Sequence, residues 1–350
     1  MSLEKPQQSI SGKRILYAIL DWGLGHASES IPLIKLFSKS NEVIIATSGS
    51  AAIFLKEEFP ELEFINFPNY HIKYTKIRFF LVPYLVTQLP KILFGTWREH
   101  LQLKYMIGEL KIDLIFSDNR YGIYSKDIPS FFITHQLRFK LPRLIKCFEF
   151  ISEWFNWIYF NKFTGVFVLD NAGDENIAGD LTQKGIITRH KNLHYIGLWS
   201  SLFRTNVAED IDVLAIISGP EPSRQIFADK VIHQLKKVVM KRVVVLGNPT
   251  LSGEDYIDDG IEVYQFQNRK KLNDSINRSK LIICRPGYAS IMDMIHLNKR
   301  AILVPTPGQT EQEYQAEYYL KRGYFYTVGE DNMDFCLLYT SPSPRDRTRS

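Results

Sequence analysis

The residues with the types and spacing to do chemistry lie in loops that follow short apolar runs. Asp21-Trp22-Gly23-Leu24-Gly25-His26 follows one such run, which ends at Leu20, and precedes a helical pattern at Ile31, Leu33, Ile34, Leu36 and Phe37. Gly23 and Gly25 let the backbone turn tightly and approach a ligand closely. A helix start disfavours positive charge, so it is expected to hold the His26 imidazole neutral. A neutral imidazole can take the proton of a hydroxyl as that hydroxyl attacks. The alternative is a structural turn whose histidine bonds only backbone. A dinucleotide fingerprint does not fit, because Ser28 stands where G-x-G-x-x-G needs its third glycine.

A second group lies further along the chain. Ser218 and Gly219 open the loop SGPEPSR, which ends at Arg224 before a helical pattern. Backbone amides and an arginine in such a turn suit a phosphate or diphosphate. The run KLIIC then delivers Arg285 and Gly287 to a helix that carries Asp293 on the face of Ala289 and Ser290. Amides at that helix start also suit a diphosphate, and an acceptor-only carboxylate at Asp293 can bind both hydroxyls of a ribose. After the run AILVP come Gln309, Glu311, Gln312 and Glu313, whose side chains match the paired character of vicinal sugar hydroxyls. The competing reading is a charged first helical turn. Asp118 in IFSDNRYG and His135 in FFITHQ also end apolar runs, and both are candidates for the acceptor side of a cleft.

These loops need a scaffold, and the chain provides the pattern of two parallel sheets. Runs begin at Arg14, Glu42, Leu62, Asp113, Ser130, Gly165 and His194, each separated by helical patterns or turns. A fresh series begins at Asp212, Arg242, Ile261, Lys280 and Arg300. The expected organisation is a loose tail at 1–12, a first α/β domain at 13–199, a linker at 200–210 and a second domain at 211–335. Two doubly wound, Rossmann-like halves face each other across a cleft, with ligands beyond the carboxyl ends of the strands.

Composition limits the function classes. With 45% hydrophobic and 23% charged residues in 350, the chain is that of a folded protein with two ordinary cores. The apolar stretch from Phe79 to Phe94 is broken by Pro83, Gln88, Pro90 and Lys91, so no membrane span is expected. MSLEKPQQSISG lacks the apolar centre of a secretory signal, and three scattered cysteines fit neither a disulfide framework nor a zinc site. A cytoplasmic location follows. Residues 336–350 show no periodicity and resemble translated adaptor sequence, so they are set aside. Removing Arg345, Arg347, Arg349 and Asp346 takes the formal charge from +5 to +3, too modest a basicity to suggest nucleic acid.

Taken together, the loops resemble glycosyltransferase family 28, whose fold is GT-B. KLIICRPGYASIMDMIHLNKRAILVPTPGQTEQEYQAEYYLKRG is similar to that family's series of strand, C-R-x-G, helix with an acidic residue, strand, P-x-P and Q-Q-x-x-N-A. The resemblance assigns Arg285 and Gly287 to the donor loop and Asp293 to the position where the family binds ribose with Glu. It sets Gln312 and Glu313 where the family has two glutamines near the donor sugar, and Phe266 and Gln267 where backbone meets uracil. Ser218 and Gly219 match a Gly-rich phosphate loop, and Gly23, Gly25 and His26 resemble a glycine-rich loop ending in Gly-His, with His26 the base. DWGLGH departs from the family's GGTGGH, Asp293 from Glu, and Glu313 from Gln, so UDP is better indicated than any one sugar.

The resemblance implies inverting transfer from a UDP-sugar to an acceptor hydroxyl, with the UDP-sugar as co-substrate and no cofactor. Residues 211–335 contain no D-x-D triplet, so no metal is expected at the diphosphate. A GT-B chain also closes with helices that pack back on the first domain, and the second domain is expected to be shortened at this end. A UDP-sugar 2-epimerase and a nucleotide-sugar-binding protein without turnover are the alternatives. Between Tyr70 and Phe163 the chain is aromatic and basic, with Lys73, Lys76, Arg78, Arg138, Lys140, Arg143 and Lys146. Such a surface could rest on an anionic bilayer and meet a glycolipid or polyprenyl-linked acceptor.

Overall fold

A computed structural model describes residues 10–68, 81–141, 143–247 and 253–335, with backbone alone at 81–86, 88–89 and 143–144. Lys73, Lys76, Arg78, the Arg143 side chain and the segment 336–350 lie outside the described residues. The first sheet contains β1 (Arg14–Ile19), β2 (Glu42–Thr47), β3 (Glu63–Asn66), β4 (Leu114–Asp118), β5 (Ser130–Thr134), β6 (Gly165–Val168) and β7 (Leu193–Tyr195). Its order is β3-β2-β1-β4-β5-β6-β7, and every pairing is parallel. Strands covered on both faces must be apolar throughout, and β1 and β2 are buried over five consecutive residues each.

The second sheet contains β8 (Ile211–Ile216), β9 (Arg242–Val245), β10 (Tyr256–Asp258), β11 (Ile261–Tyr264), β12 (Ser279–Cys284), β13 (Ala301–Leu303) and β14 (Tyr326–Thr327). The order is β10-β11-β9-β8-β12-β13-β14, with β10 alone antiparallel to its neighbour. β10 and β14 are edge strands of three and two residues that the apolar pattern does not anticipate. Edge strands have one open side and so do not need a continuous apolar run.

In both sheets the order reverses at the first strand, at β1/β4 in one and at β8/β12 in the other. That reversal opens a crevice at the carboxyl ends of the two central strands. Register is the reason partners meet there: Ile19 of β1 pairs with Asp118 of β4, and Ile216 of β8 pairs with Cys284 of β12.

The helices that matter for the crevice are α1 (Leu24–Phe37), α2 (Gly49–Glu58), α3 (Leu81–Leu110), α4 (Glu149–Phe160) and α5 (Asp180–Gln183) in the first half. In the second half they are α6 (Ser223–Leu235), α7 (Arg269–Asn277), α8 (Tyr288–His296) and α9 (Thr310–Lys321). One apolar cluster runs through both halves, from Ile15 and Ile31 through Leu169 and Ile177 to Leu214, Tyr288 and Tyr319. The Tyr288 hydroxyl donates to the Leu169 carbonyl and the Tyr319 hydroxyl to that of Ile177, so two tyrosines of the second half close onto backbone of the first. Tyrosine suits such a seam because its ring is buried while its hydroxyl finds an acceptor.

The segment 200–210 is more than a polar connection. Phe203 and Thr205 donate backbone N–H groups to Asn273 and Asn277 of α7, while Asp210 pairs with Arg278 and Lys241. Leu202 is buried. Side-chain amides on α7 hold this segment because its own backbone has no ladder to join.

Candidate active site

His26 is the third residue of α1, so the helix opens earlier than the apolar pattern at Ile31 suggests. Gly23 precedes the helix at φ 79°, where a residue with a Cβ would be strained. Asp21 accepts from Ser50 and from the Ala51 N–H, which fixes the loop to the start of α2. At i, i+3 and i+4, His26, Glu29 and Ser30 share one face of α1, and that face meets the ends of β4 and β5.

Asp118 stands behind the histidine. Its Oδ1 is 3.0 Å from His26 Nδ1, and its Oδ2 accepts from Ser30 Oγ at 2.7 Å. Asn119 adopts φ 53°, a left-handed conformation that asparagine tolerates, and donates to Asp118 Oδ1 at 3.1 Å. With Nδ1–H directed at this carboxylate, the lone pair of His26 is on Nε2. The His26 side chain is 13% exposed and Asp118 1%, so the carboxylate is sealed while the ring reaches the crevice.

Burial alone would lower the His26 pKa, but the charge and hydrogen bond of Asp118, with Glu29 beyond, raise it above the ordinary value. This corrects the expectation from the helix start: a carboxylate in contact outweighs partial charges on backbone amides. His135, just past β5, is likewise buried, and burial again pulls its pKa down. Glu29 and Glu311 overcome that and hold it well above the ordinary value. Its Nδ1 is 3.1 Å from Glu29 Oε2, and its Nε2 is 3.6 Å from Glu311 Oε1 at the start of α9.

The three rings of His26, His135 and Tyr288 stack in series, with centroid separations of 5.6 and 4.6 Å. Tyr288 is the first residue of α8, so the stack carries the His26 face of the first half to the helix start of the second. Gly287 caps that helix without a side chain, and a Cβ placed there would meet nothing within 4 Å. The same holds at Gly25. Neither glycine needs a positive φ, so neither packing nor backbone conformation requires its smallness. Space in front of an open helix N-terminus is what a diphosphate needs. Ser218 and Gly219 lie at the end of β8, the neighbour of β12, and Gly219 has φ 116° with equally open space at its Cβ.

Other residues singled out by the sequence face inward. Arg285 pairs with Glu330, donates to the Val304 carbonyl at 3.0 Å and covers the Phe227 ring at 3.8 Å. Its charge is used within the second core. Arg224 pairs with Glu221 and donates to the Leu246 carbonyl. Asp293 accepts from Arg269 through both oxygens, at 3.1 and 2.9 Å, and from Ser200 at 2.6 Å. Gln312 accepts from the Thr306 N–H and Glu313 from the Gly308 N–H, both at 2.9 Å, so these oxygens hold the loop before α9.

Phe266 meets Phe54 of the first half edge-on at 6.2 Å. Gln267 is buried, with its Oε1 lacking a hydrogen-bond partner among the described residues. The triplet Asp210-Ile211-Asp212 straddles the domain boundary, but Lys241, Arg278 and Lys280 pair with it at the start of β8, the end away from the crevice.

Glu29, Ser30 and Tyr288 were not singled out from the sequence. The signal for the first two was available in HASES, where a carboxylate and a hydroxyl follow His26 at helical spacing. Arg138 and Lys140, expected on an outer basic fringe, are turned into the fold. Arg138 pairs with Glu149 and Glu153, and Lys140 pairs with Asp180 and lies over the Tyr314 ring.

Known structures share this architecture. The glycotransferase of kitacinnamycin superposes with a TM-score of 0.62 at 14% identity, covering 96% of this chain and 90% of that one. Acinetobacter baumannii MurG gives 0.53 at 13%, covering 93% and 88%. Streptomyces sp. SF2575 glycosyltransferase SsfS6, complexed with thymidine diphosphate, gives 0.58 at 12%, covering 90% and 88%. No curated protein matches the sequence. Two Rossmann-like halves with the crevices of both sheets facing each other define the GT-B fold. Residues 223–334 match the glycosyltransferase family 28 C-terminal domain.

Proposed function

We propose that the chain moves a sugar from a UDP-sugar to an acceptor hydroxyl by a single inverting displacement. The carrying observation is the His26–Asp118 contact of 3.0 Å at the mouth of the crevice. Nε2 of His26 takes the acceptor proton as its oxygen attacks the anomeric carbon, and Asp118 stabilises the imidazolium that forms. The bond to the diphosphate breaks on the opposite side, where the Gly287 helix start and the Ser218–Gly219 loop receive the negative charge. Gln267, with a buried amide oxygen short of a donor, suits the polar edge of a nucleobase. Thymidine diphosphate in the SsfS6 complex supports a pyrimidine nucleoside diphosphate as leaving group. No cofactor beyond the nucleotide sugar enters this scheme.

The acceptor reading rests on the outer face of the first half. Leu93, Trp97, Leu101 and Tyr105 are exposed at four-residue spacing on α3, and Phe150, Ile151, Trp154 and Ile158 are exposed on α4. Exposed Arg98, Lys104 and Lys146 accompany them. Among the described residues no helix is long and apolar enough to cross a membrane. Two apolar helix faces with cations beside them suit peripheral contact with an anionic bilayer, and hence a lipid-linked acceptor.

The test is UDP release from a panel of UDP-sugars with membrane extract as the acceptor source. At least one donor should release UDP in an extract-dependent manner. Interconversion of the UDP-sugar without extract, with solvent deuterium entering the sugar, would instead indicate an epimerase.

A further inference from the structure

His26, Glu29 and His135 offer one ligand atom each, all within 4.8 Å of one another. We propose that these three side chains form a site for a divalent transition ion of the zinc class, and that occupation of this site silences the His26 base. The inference about silencing rests on the base reading above; the site itself does not.

Two imidazoles and a carboxylate make up an N/N/O donor set that zinc accepts. Each imidazole also has a second carboxylate on its other nitrogen, Asp118 at 3.0 Å from His26 Nδ1 and Glu311 at 3.6 Å from His135 Nε2. Outer carboxylates of this kind fix the tautomer of a metal-binding histidine and raise its basicity. Asp118 leaves His26 Nε2 free to bind, while His135 Nδ1, which donates to Glu29 Oε2 at 3.1 Å without an ion, gives up that proton as the ion enters between them. Nitrogen ligands around a tetrahedral ion with bonds of about 2.0 Å sit about 3.3 Å apart. The stacked rings, whose planes are 25° from parallel, must therefore rotate and draw in by about an ångström or more.

Charge provides the independent argument. Asp118, Glu29 and Glu311 bring three carboxylates to two histidines, and Asp118 and Glu29 are almost wholly buried. Among the described residues no lysine or arginine pairs with any of the three. A divalent cation that displaces both imidazole protons leaves the cluster at −1, the same net charge as two imidazolium ions give it, so ion and protons compete for the site without a buried excess of charge. Glu311 comes from α9 of the second half, so closure of the two halves completes the outer shell.

Cobalt(II) serves as the probe, titrated into the whole chain and followed by its ligand-field absorbance. Equimolar binding with the intense bands of a four- or five-coordinate ion is expected, reversed by zinc. His135→Ala and Glu29→Gln should abolish those bands, and Glu311→Gln should weaken binding about 10–100-fold. Circular dichroism melting checks that each variant folds. A spectrum that stays that of hexaaqua cobalt, or equal binding by the wild type and the folded variants, overturns the proposal. Neither readout uses turnover, so its failure is separate from failure of the base reading; zinc inhibition of UDP release is then measured on its own.

Discussion

Replacing Asp118 by Asn removes one charge and keeps the shape of the residue beneath His26. Ser30 and Asn119 still bracket the side chain, so the ring stays in place. Nδ1 of His26 lies 3.0 Å from Oδ1, which puts the two charge centres about 4 Å apart. Unit charges at that separation attract by about 4 kcal/mol at an effective dielectric of about 20. In the proposed mechanism the reactive His26 starts neutral and becomes imidazolium as the acceptor proton moves, so this attraction favours the transition state over that neutral form. At 1.36 kcal/mol for each factor of ten, its loss slows transfer by about a thousandfold. The assay is single-turnover UDP release with the donor and extract that support turnover, alongside histidine ¹⁵N NMR. The NMR should show the His26 pKa falling from its raised wild-type position. A variant that turns over within about threefold of wild type, with an unmoved His26 titration, would refute a role for Asp118.

Four further outcomes follow from the same geometry. If His26 is the base, the transfer rate of the wild type should rise with pH through a pKa above the ordinary histidine value of about 6.5, because a base acts deprotonated and Asp118 raises its pKa. Stability should behave oppositely: charged His135 contributes fully below about pH 6.5, and the contribution fades as pH rises through its raised folded value, a slope that urea titrations should find flattened in His135→Gln. Arg285→Ala should lose about 3–5 kcal/mol in urea unfolding, because Glu330 is left buried without its partner; normal stability with a raised donor KM would show instead that Arg285 serves the ligand. Trp154→Glu, on the exposed face of α4, should reduce co-sedimentation with anionic vesicles at low salt while leaving the melting temperature within about a degree or two.

The strand-end loops were legible because parallel sheets leave apolar runs with small and polar residues after them. RILYAIL, DLIFSD and KLIICRPG announce β1, β4 and β12 and the residues that follow each. What no single loop announces is partnership. Asp118 is 92 positions from His26, and the two meet because β1 and β4 are neighbours in the sheet order, a fact fixed by helix packing and not by either segment. Direction was equally hidden. Arg285 follows a buried strand and precedes a phosphate-type helix, yet Glu330, 45 positions on, draws its side chain into the core. Arg138 and Lys140 read as surface cations because nothing nearby in sequence reveals the carboxylates on α4 and α5 that claim them.

If His26 acts on the acceptor proton while the second half holds the nucleotide, one variant separates the two functions. The direct measurement is His26→Ala assayed twice, for UDP binding by calorimetry and for UDP release with a productive donor and extract. UDP affinity within about threefold of wild type, together with release slowed about 10²–10⁴-fold, is the predicted result. Release at the wild-type rate in that variant would contradict the account.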